Sequence, residues 1–110
     1  MENMEVDIKK KYLPIGTVVL LKGGTRKVMV MGFRARVTDE NNNGMKDTVW
    51  DYSGCIYPEG LLSSDQILVF DHSQISKIYH IGFHNEEDTK FKNSLNQMLQ
   101  EEKNNKKNNN

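Results

Sequence analysis

The sequence has few of the residues that carry covalent or metal chemistry. Its single cysteine, Cys55, excludes an internal disulfide, and no metal-ligand spacing surrounds it, so a small buried hydrophobe is indicated. No run approaches the roughly 20 apolar residues of a membrane-spanning helix. The first ten residues, MENMEVDIKK, carry acids where a signal peptide needs a basic and then an apolar region. We therefore expect a cytoplasmic protein without a membrane segment.

Net charge is also lacking, since the formal charge is zero, and this argues against a dedicated nucleic-acid binder. The charges are unevenly distributed, however. Eight basic residues and no acid lie between Lys9 and Arg36, whereas ten acids and two lysines lie between Asp39 and Asp88. Either the two regions neutralise each other within the fold, or they form faces of opposite sign.

At 110 residues the chain has room for one domain with a compact core. We expect a flexible N-terminal arm at 1–12, a β-rich domain at 13–99 and a disordered Asn- and Lys-rich tail at 101–110. A helix is predicted at about 86–100, because Asn85 is a suitable N-cap and acids follow it. Apolar residues recur along that helix at helical spacing, at Phe91, Leu95, Met98 and Leu99.

Short β-branched and apolar runs separated by turn residues predict five strands. The runs are Thr17–Lys22, Thr25–Val37, Thr48–Tyr57, Ile67–Phe70 and Ile75–Phe83. Gly23-Gly24 indicates a hairpin between the first two, and Gly32 a bend or bulge within the second. The predicted fold is mainly β: a small, strongly bent antiparallel sheet or SH3-like barrel with one C-terminal α-helix.

Side-chain alternation predicts how the second and third strands pair. Odd positions of the second strand are apolar and are assigned to the core: Met29, Met31, Phe33, Ala35 and Val37. Core candidates in the third strand are Trp50, Tyr52 and Ile56. A turn centred on Asn43-Gly44 would place Val37 opposite Trp50, Ala35 opposite Tyr52, Phe33 opposite Gly54 and Arg36 opposite Asp51.

The candidate metal sites are incomplete. Asp39, Asn41, Asn43 and Asp47 match the first part of a calcium loop, but Trp50 stands where a closing Glu is needed, so an ordinary hairpin is favoured. His72, His80 and His84 have no cysteine or carboxylate cluster to complete a zinc site. No serine or cysteine is paired with a base that would mark a nucleophile. We expect no cofactor, no metal and no enzymatic activity.

The favoured hypothesis is therefore binding. The predicted contact surface comprises Tyr52, Tyr57, Pro58 and Glu59, because Tyr57-Pro-Glu-Gly60 offers an aromatic anchor at a sheet edge. The alternative is that Tyr57 and Pro58 merely close the fold. The basic run from Lys9 to Arg36 leaves a small RNA-binding barrel as another alternative, although the acids after Asp39 oppose it.

Five segments, in this order, resemble the family of domains of unknown function numbered 4176. They are Leu13–Gly24, Lys27–Gly32, Asp51–Gly54, Tyr57–Gly60 and Phe70–Gly82. The resemblance covers about Leu13 to Leu99, and the Asp39 to Lys46 loop and the Asn-rich tail depart from it. Members are small proteins of Gram-positive bacteria, often encoded beside LXG toxins of the type VII secretion system.

The resemblance implies a protein partner, either a toxin or a small helical protein associated with secretion. An accessory factor that holds or delivers such a partner is favoured, because one role shared among unlike toxins suits a recurring family. An immunity protein against one co-encoded toxin is the alternative.

Overall fold

The computed structural model describes residues 6–38 and 47–108, and for Thr38, Asp47 and 104–108 it describes the backbone alone. Five strands and one long helix lie in these ranges: β1 (Val18–Leu21), β2 (Lys27–Thr38), β3 (Asp47–Ile56), β4 (Leu68–Phe70), β5 (Ile75–His80) and α1 (Glu86–Asn108). The sequence therefore located all five strands, with the ends displaced by a few residues.

The five strands form one antiparallel sheet in the order β4-β3-β2-β1-β5. Within the described residues β4 and β5 each pair on one side only, so the sheet is open. The bent antiparallel sheet is confirmed, and the SH3-like barrel is not formed. The β1–β2 hairpin is also confirmed, but its turn is wider than Gly23-Gly24, since the last pair is Leu20 with Lys27.

The predicted register of β2 and β3 is wrong by two residues. Val37 lies opposite Thr48, Ala35 opposite Trp50 and Phe33 opposite Tyr52, while Arg36 lies opposite Val49 instead of Asp51. The shift of two preserves which face each side chain occupies. It also brings the two aromatic rings of Phe33 and Tyr52 together, at 6.1 Å between centroids. The Asn43-Gly44 turn, from which the register was predicted, lies outside the described residues.

A bulge at Met31 changes the inward face of β2. The pairing passes from Val30 with Gly54 to Gly32 with Ser53, which leaves Met31 as the extra residue. Before the bulge, even positions point inward, and Val28 and Val30 are buried. The bulge predicted near Gly32 is confirmed. The assignment of Met29 and Met31 to the core is wrong because alternation does not continue through it.

Six buried side chains form the hydrophobic core against the sheet: Leu13, Val19, Val28, Val30, Tyr52 and Phe70. The rings of Tyr52 and Phe70 stack with centroids 5.1 Å apart. Tyr12, which the sequence assigned to the flexible arm, is also buried, and its ring contacts those of Phe33 and Tyr52 edge-on. The ordered fold therefore begins before Leu13. Val37, in contrast, was assigned to the core and is exposed.

The chain divides into two compact units, one at Val6–Phe83 and one that begins at His84. In the second, Asn85 caps α1 as predicted: its Oδ1 accepts the N–H of Asp88 at 3.2 Å. The helix continues to Asn108, eight residues past the predicted end at residue 100. Of the predicted stripe, Leu95 is buried, whereas Phe91 and Met98 are exposed.

Candidate partner-binding surface

Tyr52, the first residue of the predicted contact surface, has no exposed area. Its hydroxyl oxygen accepts the N–H groups of Tyr12 at 2.8 Å and Leu13 at 3.0 Å. Because a phenol has one proton to give, the third bond, at 2.8 Å, donates it to Nδ1 of His72. The other ring nitrogen, Nε2, then carries the proton of His72 and donates to the carbonyl of Ile8 at 3.1 Å. Tyr52 is thus a buried structural residue and does not belong to the contact surface. We call Tyr52 and its three partners, Tyr12, Leu13 and His72, the Tyr52 hydrogen-bond centre.

Two aspartates join β3 to the turn that follows β4. The N–H of Asp51 donates to Oδ1 of Asp71 at 3.1 Å, and the N–H of His72 donates to Oδ2 of Asp51 at 2.9 Å. Lys11 lies 3.4 Å from the other oxygen of Asp51. Two of the segments that carry the family resemblance, Asp51–Gly54 and the beginning of Phe70–Gly82, are therefore in direct contact.

Burial raises the pKa of Tyr52 from 10 to about 12. The folded state therefore keeps the phenol protonated at a pH where the unfolded chain has released the proton. Stability from this residue is complete below pH 10 and is lost as the pH rises toward 12. We expect the free energy of unfolding to fall over this interval by about 2 kcal/mol more than in Tyr52→Phe.

Urea titrations at intervals between pH 9 and pH 12, followed by far-UV circular dichroism, measure this difference. Burial also raises the pKa of Tyr12, and the Tyr52→Phe reference cancels that contribution. Equal slopes of stability against pH in the two proteins would contradict the assignment to Tyr52.

The remaining predicted contact residues, Tyr57, Pro58 and Glu59, are exposed at the end of β3. Their turn is held at both ends: the N–H of Tyr57 donates to the carbonyl of Lys27 at 2.9 Å, and that of Gly60 to Ile56 at 2.8 Å. Both carboxylate oxygens of Glu59 pair with the guanidinium of Arg26. That bond lowers the pKa of Glu59. The turn is thus anchored to the β1–β2 hairpin while its apolar side chains face solvent.

Four large apolar side chains are exposed in the connection from β3 to β4, residues 57–67. We call this set the loop patch: Tyr57, Leu61, Leu62 and Ile67. Leu62 is the most exposed large hydrophobe of the described residues, at 76%. Of these four residues, only Tyr57 was among the contact residues predicted from the sequence. The available signal was Leu61-Leu62, an apolar pair between Gly60 and Ser63 that no strand pattern requires.

The candidate metal ligands do not come together in the described part of the chain, where no group of three His, Cys, Asp or Glu could hold an ion. His72 is bound to Tyr52, and His84 pairs with Asp88. Asp39, Asn41 and Asn43 of the calcium-loop candidate lie outside the described residues, as does the side chain of Asp47. Cys55 is buried, as predicted.

The family model of the domain of unknown function DUF4176 matches residues 12–91, from the buried Tyr12 into the first turns of α1. The chain belongs to this family. No curated protein and no solved structure matches it. The matched span of DUF4176 contains the Tyr52 hydrogen-bond centre, both aspartates and the loop patch. Among the described residues, no helix combines the length and apolar character needed to cross a membrane.

Proposed function

We propose that this DUF4176 protein is a non-enzymatic, cytoplasmic accessory factor that binds another protein through the loop patch. The partner class is a toxin or a small helical protein linked to type VII secretion, as the family's genomic setting implies. The loop patch carries the proposal, since four large apolar side chains are left exposed in one connection of eleven residues and exposed apolar surface marks protein contacts.

Two features of the loop patch support binding over a merely structural role. Tyr57 and Leu62 leave 45% and 76% of their surfaces exposed, so neither contributes much to the core. The anchored backbone of the Tyr57–Gly60 turn lowers the conformational entropy lost when a partner orders the loop.

The test is co-expression of the tagged protein with each product of the neighbouring genes, followed by calorimetry on any purified pair. We expect Leu62→Ser and Tyr57→Ala each to weaken the complex by about tenfold or more, because a central apolar anchor contributes more than 1 kcal/mol. Melting temperatures should remain close to the wild-type value, since both side chains are exposed.

Val37→Ser is the matched control, because Val37 is an exposed apolar residue of β2 away from the loop patch. It should bind as the wild type does. Capture of a toxin domain with neutralisation of its toxicity would instead identify an immunity protein. Salt-sensitive binding of RNA alone would overturn the proposal in favour of a nucleic-acid binder.

A further inference from the structure

The second edge of the sheet, β5, differs from β4 in being long enough to accept another strand. It has six residues and pairs with β1 alone within the described chain, whereas β4 has three residues. Alternate N–H and C=O groups of an edge strand point away from its neighbour and are available to an added strand. The β5 edge is therefore the better template for strand addition.

A cleft of about 530 Å³ lies beside this edge. Its walls are β5 with the preceding His72 and Ser73, and the N-terminal segment at Ile8 and Lys9. The bond from Nε2 of His72 to the carbonyl of Ile8 holds that segment in place. The cleft is thus a preformed groove along a strand with an open edge.

The chemistry of the groove is both apolar and cationic. Ile75 and Ile78 supply apolar surface, and Lys9 and Lys77 supply two exposed ammonium groups. No acidic residue is among the described residues that line it. The Lys77 ammonium lies 4.8 Å from the ring centroid of Tyr79, a cation–π contact that restrains it.

We propose that the β5 groove binds an extended peptide segment that alternates apolar and acidic residues and adds as a sixth strand. Backbone hydrogen bonds to β5 provide the affinity, and the alternation places apolar side chains on one face and carboxylates on the other. A second copy of the chain fits less well. Symmetric pairing of two β5 strands would bring Lys9 and Lys77 of both copies together. The inference rests on the proposed function, protein binding, and assigns a second surface to it.

The probe is a fluorescein-labelled eight-residue peptide of alternating Val and Glu, measured by fluorescence anisotropy with the full chain. We expect saturable binding that weakens with salt, with protection from hydrogen exchange confined to β5 and Ile8–Lys9. Lys9→Glu and Lys77→Glu should each weaken binding by about tenfold. Lys90→Glu, an exposed lysine of α1, is the matched control and should bind normally.

Two further peptides make the inference refutable. The same acidic peptide with alternate backbone nitrogens methylated keeps its charges but cannot pair as a strand, and equal binding of it would overturn strand addition. Equal binding of an alternating Val and Lys peptide would overturn the charge preference. Sedimentation could instead show a dimer that the probe does not dissociate, with β5 protected from hydrogen exchange in the absence of the probe. This result would show that a second copy occupies the edge and would also overturn the proposal.

The loop patch variant Leu62→Ser separates the two proposals. It should bind the Val and Glu peptide as the wild type does while losing the neighbouring-gene partner. If the peptide does not bind while the Leu62-dependent complex forms, the β5 groove alone is rejected. If the peptide binds while no complex depends on Leu62, the loop patch alone is rejected.

Discussion

Tyr52→Phe should lower the free energy of unfolding by about 3 kcal/mol, although it removes a single oxygen atom. That oxygen serves three partners at once: the N–H groups of Tyr12 and Leu13 and Nδ1 of His72. A buried polar group without a partner costs about 1–3 kcal/mol. Phenylalanine fits the ring site, so packing against Phe70 is retained and the loss reports the hydrogen bonds.

Urea unfolding followed by far-UV circular dichroism measures this change, and Tyr79→Phe is the matched control. Tyr79 is an exposed tyrosine of β5 whose ring, which forms its cation–π contacts, is retained in phenylalanine. We expect the control to stay within about 0.5 kcal/mol of the wild type. A loss in Tyr52→Phe no larger than the control's would show that water replaces the hydroxyl and that the centre contributes little.

A double-mutant cycle with His72→Ala tests the hydrogen bond between the Tyr52 hydroxyl and Nδ1 of His72. If Tyr52 donates to Nδ1, the two substitutions share one hydrogen bond, and their combined cost should fall short of the sum by about 1 kcal/mol. Strict additivity would indicate that the two side chains act independently.

The strands were predictable from the sequence because their β-branched and apolar runs end at strong turn residues. The register between β2 and β3 was not, since it was inferred from the Asn43-Gly44 turn alone. What the structure shows instead is an aromatic pair, Phe33 with Tyr52, which brings two large rings into one core position. The packing of two aromatic side chains across strands is a tertiary contribution that local turn preference does not reveal.

The bulge at Met31 shows a second limit of prediction from the sequence. Gly32 correctly indicated a break in the strand, but glycine does not specify which residue is extra or that the inward face changes there. Val28 and Val30 were therefore assigned outward, although they are buried. Side-chain alternation holds only along an uninterrupted strand. A single inserted residue reverses which face the side chains occupy on one side of the insertion.

The candidate site was predicted in part. The exposed Tyr57 turn follows from a proline and a glycine after a strand, which are local features. Burial of Tyr52 depends on Tyr12, Leu13 and His72, which are 40, 39 and 20 residues away. Such long-range hydrogen bonds leave no periodic signal in a single sequence. Tyrosine at an inward position was the available clue, because a buried hydroxyl needs partners.

Gly82→Ala should also cost about 3 kcal/mol or more, and its cause is steric. A Cβ atom at Gly82 would lie 2.1 Å from the carbonyl oxygen of Ile15 and 2.9 Å from the nitrogen of Thr17. Both contacts are with backbone, which cannot move aside as the end of a flexible side chain would. Gly82 is buried, and its own N–H donates to Oγ1 of the buried Thr17 at 3.0 Å. Relief of the clash would therefore also break that bond.

Gly23→Ala is the control that separates the cost of a steric clash from the cost of an unfavourable backbone conformation. Gly23 has a φ of +78° and no atom within 4 Å of an added Cβ, so alanine there meets strain without a clash. We expect it to cost about 1–2 kcal/mol, the penalty of an ordinary residue in the left-handed region. Gly82 has no positive φ, so its requirement for glycine comes from the approach of residues 15–17. A Gly82→Ala protein as stable as Gly23→Ala would show that the two backbone segments separate easily, contrary to the close approach in the structure.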